Sequence, residues 1–141
     1  MKGTYLICIF VKKKINIKIG ALGNLDFESG HYIYIGSAMA DKGPSTLINR
    51  VNRHINTPEN KTLHWHIDYF LNNRNAIIYK LYLIPCRYKL ECIIAKELKN
   101  SSDFSIKNFG SSDCNCISHL FFFKDLNFKM NYNLKLIISN K

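Results

Sequence analysis

Acidic side chains are scarce in this chain. Ten Asp and Glu face 20 Lys and Arg, which leaves a formal charge of +10 and a pI near 9.5. Such a balance favours a polyanionic partner, nucleic acid first and an anionic membrane second. Long apolar runs are also missing. The stretch Thr4 to Val11 (TYLICIFV) is the one candidate for a leader, yet Lys12, Lys13 and Lys14 follow it at once, with no small-residue cleavage site. It is far too short to cross a bilayer, which takes about 20 apolar residues. The cysteine count is odd: Cys8, Cys86, Cys92, Cys114 and Cys116 cannot all pair within one chain, so reduced thiols and a cytoplasmic protein are expected. No internal repeat or domain boundary is evident in the 141 residues, and one hydrophobic core is expected.

What is present argues for a packed fold. Hydrophobic residues make up 47% of the chain and aromatics 13%, which excludes a disordered basic tail. Thr4 to Val11, continuously apolar and rich in aromatic and β-branched types, reads as a strand buried on both faces. Ile15, Ile17 and Ile19 alternate with Asn16 and Lys18, and Gly20 and Gly23 allow a turn into Leu25 to Phe27, which predicts an inserted hairpin. In the next strand Tyr32 and Tyr34 share one face and Ile33 and Ile35 the other, with Gly36 ending it.

Gly43-Pro44-Ser45 closes a loop from Ala38 with good helix-start chemistry. In the helix that follows, Leu47, Val51 and Ile55 form an i, i+4, i+8 apolar stripe, and Arg50 and His54 form a parallel row beside it. A second helix, capped by Thr62, would turn Leu63, Ile67, Phe70 and Leu71 inward and stop at Asn72 and Asn73. Ala76 to Ile84 is a strand closed by Pro85. Leu90 to Leu98 reads as a third helix, with Ile94 and Leu98 inward and Glu91 on a flank. A polar serine-rich loop, the turn-rich segment FGSSDCN (109–115) and a core strand over His119 to Phe123 complete residues 1–125. Residues 126–141 form an Asn- and Lys-rich tail in which Leu134 to Ile138 either makes an edge strand of the same domain or frays.

Several side chains carry chemistry. His64, His66 and Asp68 surround the only tryptophan; on a helix His64 and Asp68 share a face and His66 points nearly opposite, so the three are not expected at one site. Cys114-x-Cys116-x2-His119 offers three of the four ligands of tetrahedral zinc. Without a fourth, the segment reads better as a turn whose backbone donors, with Ser112, lie beside a cleft. Lys12, Lys13, Lys14 and Arg53 are candidates for phosphate contact, each such contact steepening the logarithmic salt dependence of duplex binding by about 0.9.

Gly3-Thr4-Tyr5, then Tyr34-Ile35-Gly36, then Arg50 and His54 on a helix, then Glu91 opening another helix, resemble the GIY-YIG nuclease superfamily. LHWHIDYF (63–70), GSSDCNC (110–116) and the SHLFF after it resemble more narrowly an archaeal branch, the Uri-type endonucleases, once known only as a domain of unknown function and sometimes fused to DNA repair glycosylases. The similarity runs from about Gly3 to Phe123. The gaps from Tyr5 to Tyr34 and from Tyr34 to Arg50 are longer than in most members; the hairpin fills the first and the Ala38 to Ser45 loop the second.

The resemblance implies an α+β fold, a small antiparallel sheet flanked by helices with an inserted hairpin, and a metal-dependent endonuclease acting on DNA. Tyr5, Tyr34, Arg50 and His54 are its implied catalytic residues, with Tyr5 as base and Tyr34 as an orienting hydroxyl, while His54 remains a rival base, partner or leaving-group acid. Glu91 is the implied ligand of Mg²⁺ or Mn²⁺, one carboxylate sufficing because Mg²⁺ keeps most of its waters. A guanidinium and a divalent ion beside Tyr5 are expected to lower its pKa from about 10. Ser111-Ser112-Asp113 stands where the family's closing asparagine would, which makes Ser112 and Asp113 secondary candidates beside His64 and His66. A repair-protein partner is implied, and RNA is left open as a substrate. A non-catalytic nucleic-acid-binding module on the same fold is the alternative.

Overall fold

The computed structural model describes residues 1–56, 63–111 and 114–125 in full, together with the backbone of 135–138. Its centre is β1 (Gly3–Val11), a strand paired antiparallel on one side with β4 (Gly30–Ala38) and on the other with β5 (Ala76–Pro85). Beyond β4 lie β7 (Leu120–Phe123) and the two-residue β6 (Phe104–Ser105); beyond β5 lies β8 (Lys135–Ile138). The strand order is β6-β7-β4-β1-β5-β8, antiparallel throughout. β2 (Ile15–Lys18) and β3 (Asn24–Phe27) form the separate inserted hairpin, joined by a 3-10 turn over Gly20–Leu22. With three α-helices among the described residues, this is the expected α+β architecture. No helix among the described residues is long and apolar enough to cross a membrane.

Period-2 alternation in β1 and β4 sorts their side chains between two cores. Tyr5, Ile7, Ile9, Val11, Tyr32 and Tyr34 face the core shared with the hairpin, α1 (Leu47–Ile55) and α2 (His66–Leu71). Leu6, Cys8, Ile33 and Ile35 face Ile94, Ala95 and Leu98 of α3 (Glu91–Ser101). The sheet is thus flanked by helices on both faces. Leu6, Ile7 and Ile9 have no exposure at all, and burying each contributes about 1.5–3 kcal/mol.

Four local expectations are corrected. β4 does not end at Gly36 but runs on to Ala38. Gly36 sits opposite Tyr5 in the ladder, and a Cβ there would overlap the Tyr5 ring and hydroxyl, so the glycine makes room inside a strand. Gly3 is constrained in the same way, since its Cβ would stand 2.5 Å from the Ile84 carbonyl oxygen and 2.8 Å from Leu47 Cδ2. α2 starts at His66, so Leu63 and His64 precede it, and Thr62 lies outside the described residues. The serine-rich loop contains β6, where the Phe104 ring stacks on Phe122 at 4.5 Å. The third helix begins at Glu91, with Leu90 as its N-cap.

Gly36→Ala is expected to destabilise the fold by about 1–3 kcal/mol through overpacking, read by urea unfolding. The penalty should largely vanish in a Tyr5→Ala background. An equal loss in both backgrounds would place the strain elsewhere.

Candidate active site

Tyr5 is buried, and its hydroxyl lies 2.8 Å from Nε2 of His54, which has no exposure. Tyr34, two strand positions before Gly36, brings its ring to 6.4 Å from that of Tyr5 and 6.3 Å from that of His54. Arg50 stands one helical turn before His54 and is held from three sides. Its NH1 donates to the Ser37 carbonyl at 2.9 Å, its NH2 donates to Ser45 Oγ at 2.9 Å, and its guanidinium carbon lies 4.8 Å from the centre of the Trp65 ring. Its Nε is buried and makes no hydrogen bond among the described residues. Glu91, the first residue of α3, is a buried carboxylate with the half-exposed Lys89 ammonium at 3.3 Å. Tyr5, Tyr34, Arg50, His64, His66 and Glu91 line one cleft of about 260 Å³, with Gly110 and His119 at its wall.

Burial decides the state of Tyr5. Desolvation pushes its phenol well above the usual value of 10.0, Tyr34 and Glu91 add to the rise, and Arg50 pulls it down without prevailing. The guanidinium thus acts in the expected direction but does not by itself offset burial. His66 is shifted down by burial. Its Nδ1 accepts the Gly110 N–H at 2.8 Å, so the neutral ring carries its proton on Nε2. Gly110 itself has φ of 69°, and a Cβ there would stand 3.1 Å from Tyr34, so the turn needs glycine both for its backbone and for its packing.

His64, His66 and Asp68 do not share one site, as expected, but they divide differently. His64 and His66 share the cleft because His64 precedes the helix and is not bound by helical spacing. Asp68 is the one turned elsewhere: fully buried, it takes both ends of the Arg53 fork at 2.9 and 3.0 Å, and its Oδ2 also accepts the N–H groups of His64 and Trp65. Arg53, expected on phosphate, is thus engaged by Asp68, with its guanidinium carbon 4.3 Å from the Trp65 ring centre. Lys12, Lys13 and Lys14 follow the far end of β1, about 23 Å along the strand from Tyr5, and do not belong to the cleft. Ser112 and Asp113 lie outside the described residues.

A second cluster adjoins the site. One donor atom each from Cys92, Cys114, Cys116 and His119 lies within 4.8 Å of the others, an arrangement that could hold a metal ion. Cys92 is the fourth ligand that the spacing Cys114-x-Cys116-x2-His119 lacked. It comes from α3, and no local pattern announces it. Trp65, Ser45 and the Ser37 carbonyl are the other contributors that side-chain chemistry alone did not single out; the lone Trp between two histidines was the available signal.

A family model described as Domain of unknown function DUF123 matches residues 4–139. No curated protein and no solved structure matches the chain.

The Asp68 carboxyl carries a pH signature. Burial alone would raise its pKa, but the Arg53 hydrogen bonds, the N–H groups of Trp65 and His64 and the Arg53 charge together hold it below the usual 3.8. A depressed folded value stabilises the protein fully above the unfolded pKa and is lost as pH falls from about 4 through the folded value. Asp68→Asn is expected to cost about 3 kcal/mol at neutral pH. Its melting temperature should then fall less than that of the wild type between about pH 4 and pH 2, as read by scanning calorimetry.

Proposed function

The chain belongs to the DUF123 family, and from that premise we propose that it is a metal-dependent endonuclease of the GIY-YIG kind, hydrolysing phosphodiester bonds of DNA. The observation that carries this reading is the convergence of Tyr5, Tyr34, Arg50 and Glu91, from four separate elements, on one cleft. Hydrolysis needs a proton acceptor for the attacking water and positive charge over the phosphorane. Arg50 is the cation. Its planar fork is already held by Ser37, Ser45 and Trp65, so little reorganisation is needed when a phosphate arrives, and NH1 and NH2 each carry a second N–H beyond the one given to Ser37 or Ser45.

Tyr5 and His54 work as a pair. A phenol pushed above its usual pKa is a poor base by itself, but the 2.8 Å contact lets its proton pass to His54 Nε2 as the phenol oxygen takes one from water. His54 has no exposure, so it acts through Tyr5, and of its candidate roles the partner role is the one that fits. His64 lines the cleft and is the imidazole placed to return a proton to the leaving oxygen, while His66, neutral and held by the Gly110 N–H, offers a hydrogen bond from Nε2. Glu91 fits the expected ion, being a hard oxygen donor, buried, and lining the cleft with the half-exposed Lys89 ammonium 3.3 Å away. Mg²⁺ or Mn²⁺ held there supplies charge against the developing phosphorane. A cytoplasmic role in DNA repair, beside a partner protein, rests on the resemblance alone.

Mg²⁺-dependent nicking of labelled duplex, single-stranded, flap and mismatched DNA, run beside matched RNAs, tests the reading. Glu91→Ala should abolish cleavage and spare binding in a gel-shift assay. Arg50→Ala should slow cleavage on the order of a hundred- to a thousandfold, with Arg50→Lys failing to restore it. Tight, salt-sensitive binding with no product on any substrate would make the chain a non-catalytic binding module instead.

A further inference from the structure

We infer that Cys92, Cys114, Cys116 and His119 form a tetrahedral zinc site that ties the first turn of α3 to the segment leading into β7. The site is separate from the ion expected at Glu91, and the inference holds whether or not the chain cleaves DNA. Four ligand atoms already lie within 4.8 Å of one another, and Cys114 Sγ stands 3.4 Å from His119 Nε2. Zinc bonds of about 2.3 Å to sulfur and 2.0 Å to nitrogen put tetrahedral neighbours roughly 3.5–3.8 Å apart. That pair thus needs no movement, and a pair at the 4.8 Å limit needs to contract by only about one ångström.

The donor set selects the metal. Thiolates and imidazole suit zinc and leave Mg²⁺ or Mn²⁺ to oxygen donors such as Glu91. Three thiolates and a neutral imidazole around a dication carry net negative charge, and Lys96 and Lys99 line the groove beside them, about 530 Å³ in volume. His119 is fixed on the sheet through its backbone, its N–H donating to the Phe109 carbonyl and its carbonyl accepting the Ile35 N–H, so one ligand is anchored in the core. The other two cysteines do not join: Cys8 is buried in the sheet, where burial pushes its thiol up to about 12, and Cys86 follows β5.

The position has a consequence. Glu91 directly precedes Cys92, and His119 lines the cleft from the loop side. Zinc would thereby clamp together two walls of the active cleft that come from separate parts of the chain.

Untagged protein, purified under reducing conditions without chelator from zinc-supplemented culture, should carry about one zinc per chain by elemental mass spectrometry. Cys92→Ser should retain less than about a tenth of that, and Cys86→Ser all of it. Because a ligand variant can fail to fold, the wild type is also stripped and loaded with Co²⁺, where intense visible bands and thiolate charge-transfer absorption report a tetrahedral sulfur site. Absence of both zinc and the cobalt spectrum overturns the inference. So does an intact mass, measured without reductant, that shows a disulfide among Cys92, Cys114 and Cys116, or protein that carries iron and inorganic sulfide.

Discussion

The ring of Tyr5 lies over a backbone position that has no side chain, and the site depends on that vacancy. Gly36 faces Tyr5 across the ladder, and any Cβ there would evict the ring. With the ring in place, the hydroxyl reaches His54 in the helix above. Gly3 works at the same level: its bare backbone lets Leu47 close on β1, and the Leu47 N–H donates to the Met1 carbonyl at 2.9 Å. The start of α1 is thereby pinned to the start of β1, and the arginine and histidine follow at one and two turns. Two glycines in two strands therefore set the height of the helix that carries the cation and the imidazole.

Period was a reliable guide where the chain is regular. The alternation in β1 and β4 assigns the two cores residue by residue, and the Leu47 and Val51 stripe buries one face of α1. The site was legible where it stands on those elements, at Tyr5, Tyr34, Arg50, His54 and Glu91. It was not legible where chemistry depends on how a segment begins. A helix assumed to start near Thr62 separated His64 from His66, whereas the Asp68 carboxylate accepts two N–H groups at the true start and leaves His64 outside it. The ion pair of Arg53 was not legible, because a surface cation and one locked to a buried carboxylate read identically in sequence. Cys92 was silent for a third reason: its partners are remote in the chain and meet only through the packing of α3 against the sheet.

Two buried carboxylates show how one residue class divides its roles. Asp68 is saturated with donors and acts as a fixed post. Glu91 faces the cleft with one lysine beside it and so remains available to a cation. Trp65 completes the division among the basic residues. Arg50 and Arg53 both stack on its ring; Arg53 is paired with the buried Asp68 carboxylate, whereas Arg50 lines the cleft, held by a carbonyl and a hydroxyl. A chain with +10 formal charge thus aims one particular guanidinium.

Placing β1 at the centre of the sheet has a further cost during synthesis. It precedes both of its neighbours: β4 begins at Gly30 and β5 at Ala76, so this apolar strand is made before either of the strands that pair with it. On a growing chain, TYLICIFV is a free segment of high β-propensity without charge or proline, the composition that seeds cross-β association. Lys12, Lys13 and Lys14 follow it immediately, where flanking charge restrains such pairing. A lysine triplet in that place sets charge against such association before the sheet is complete.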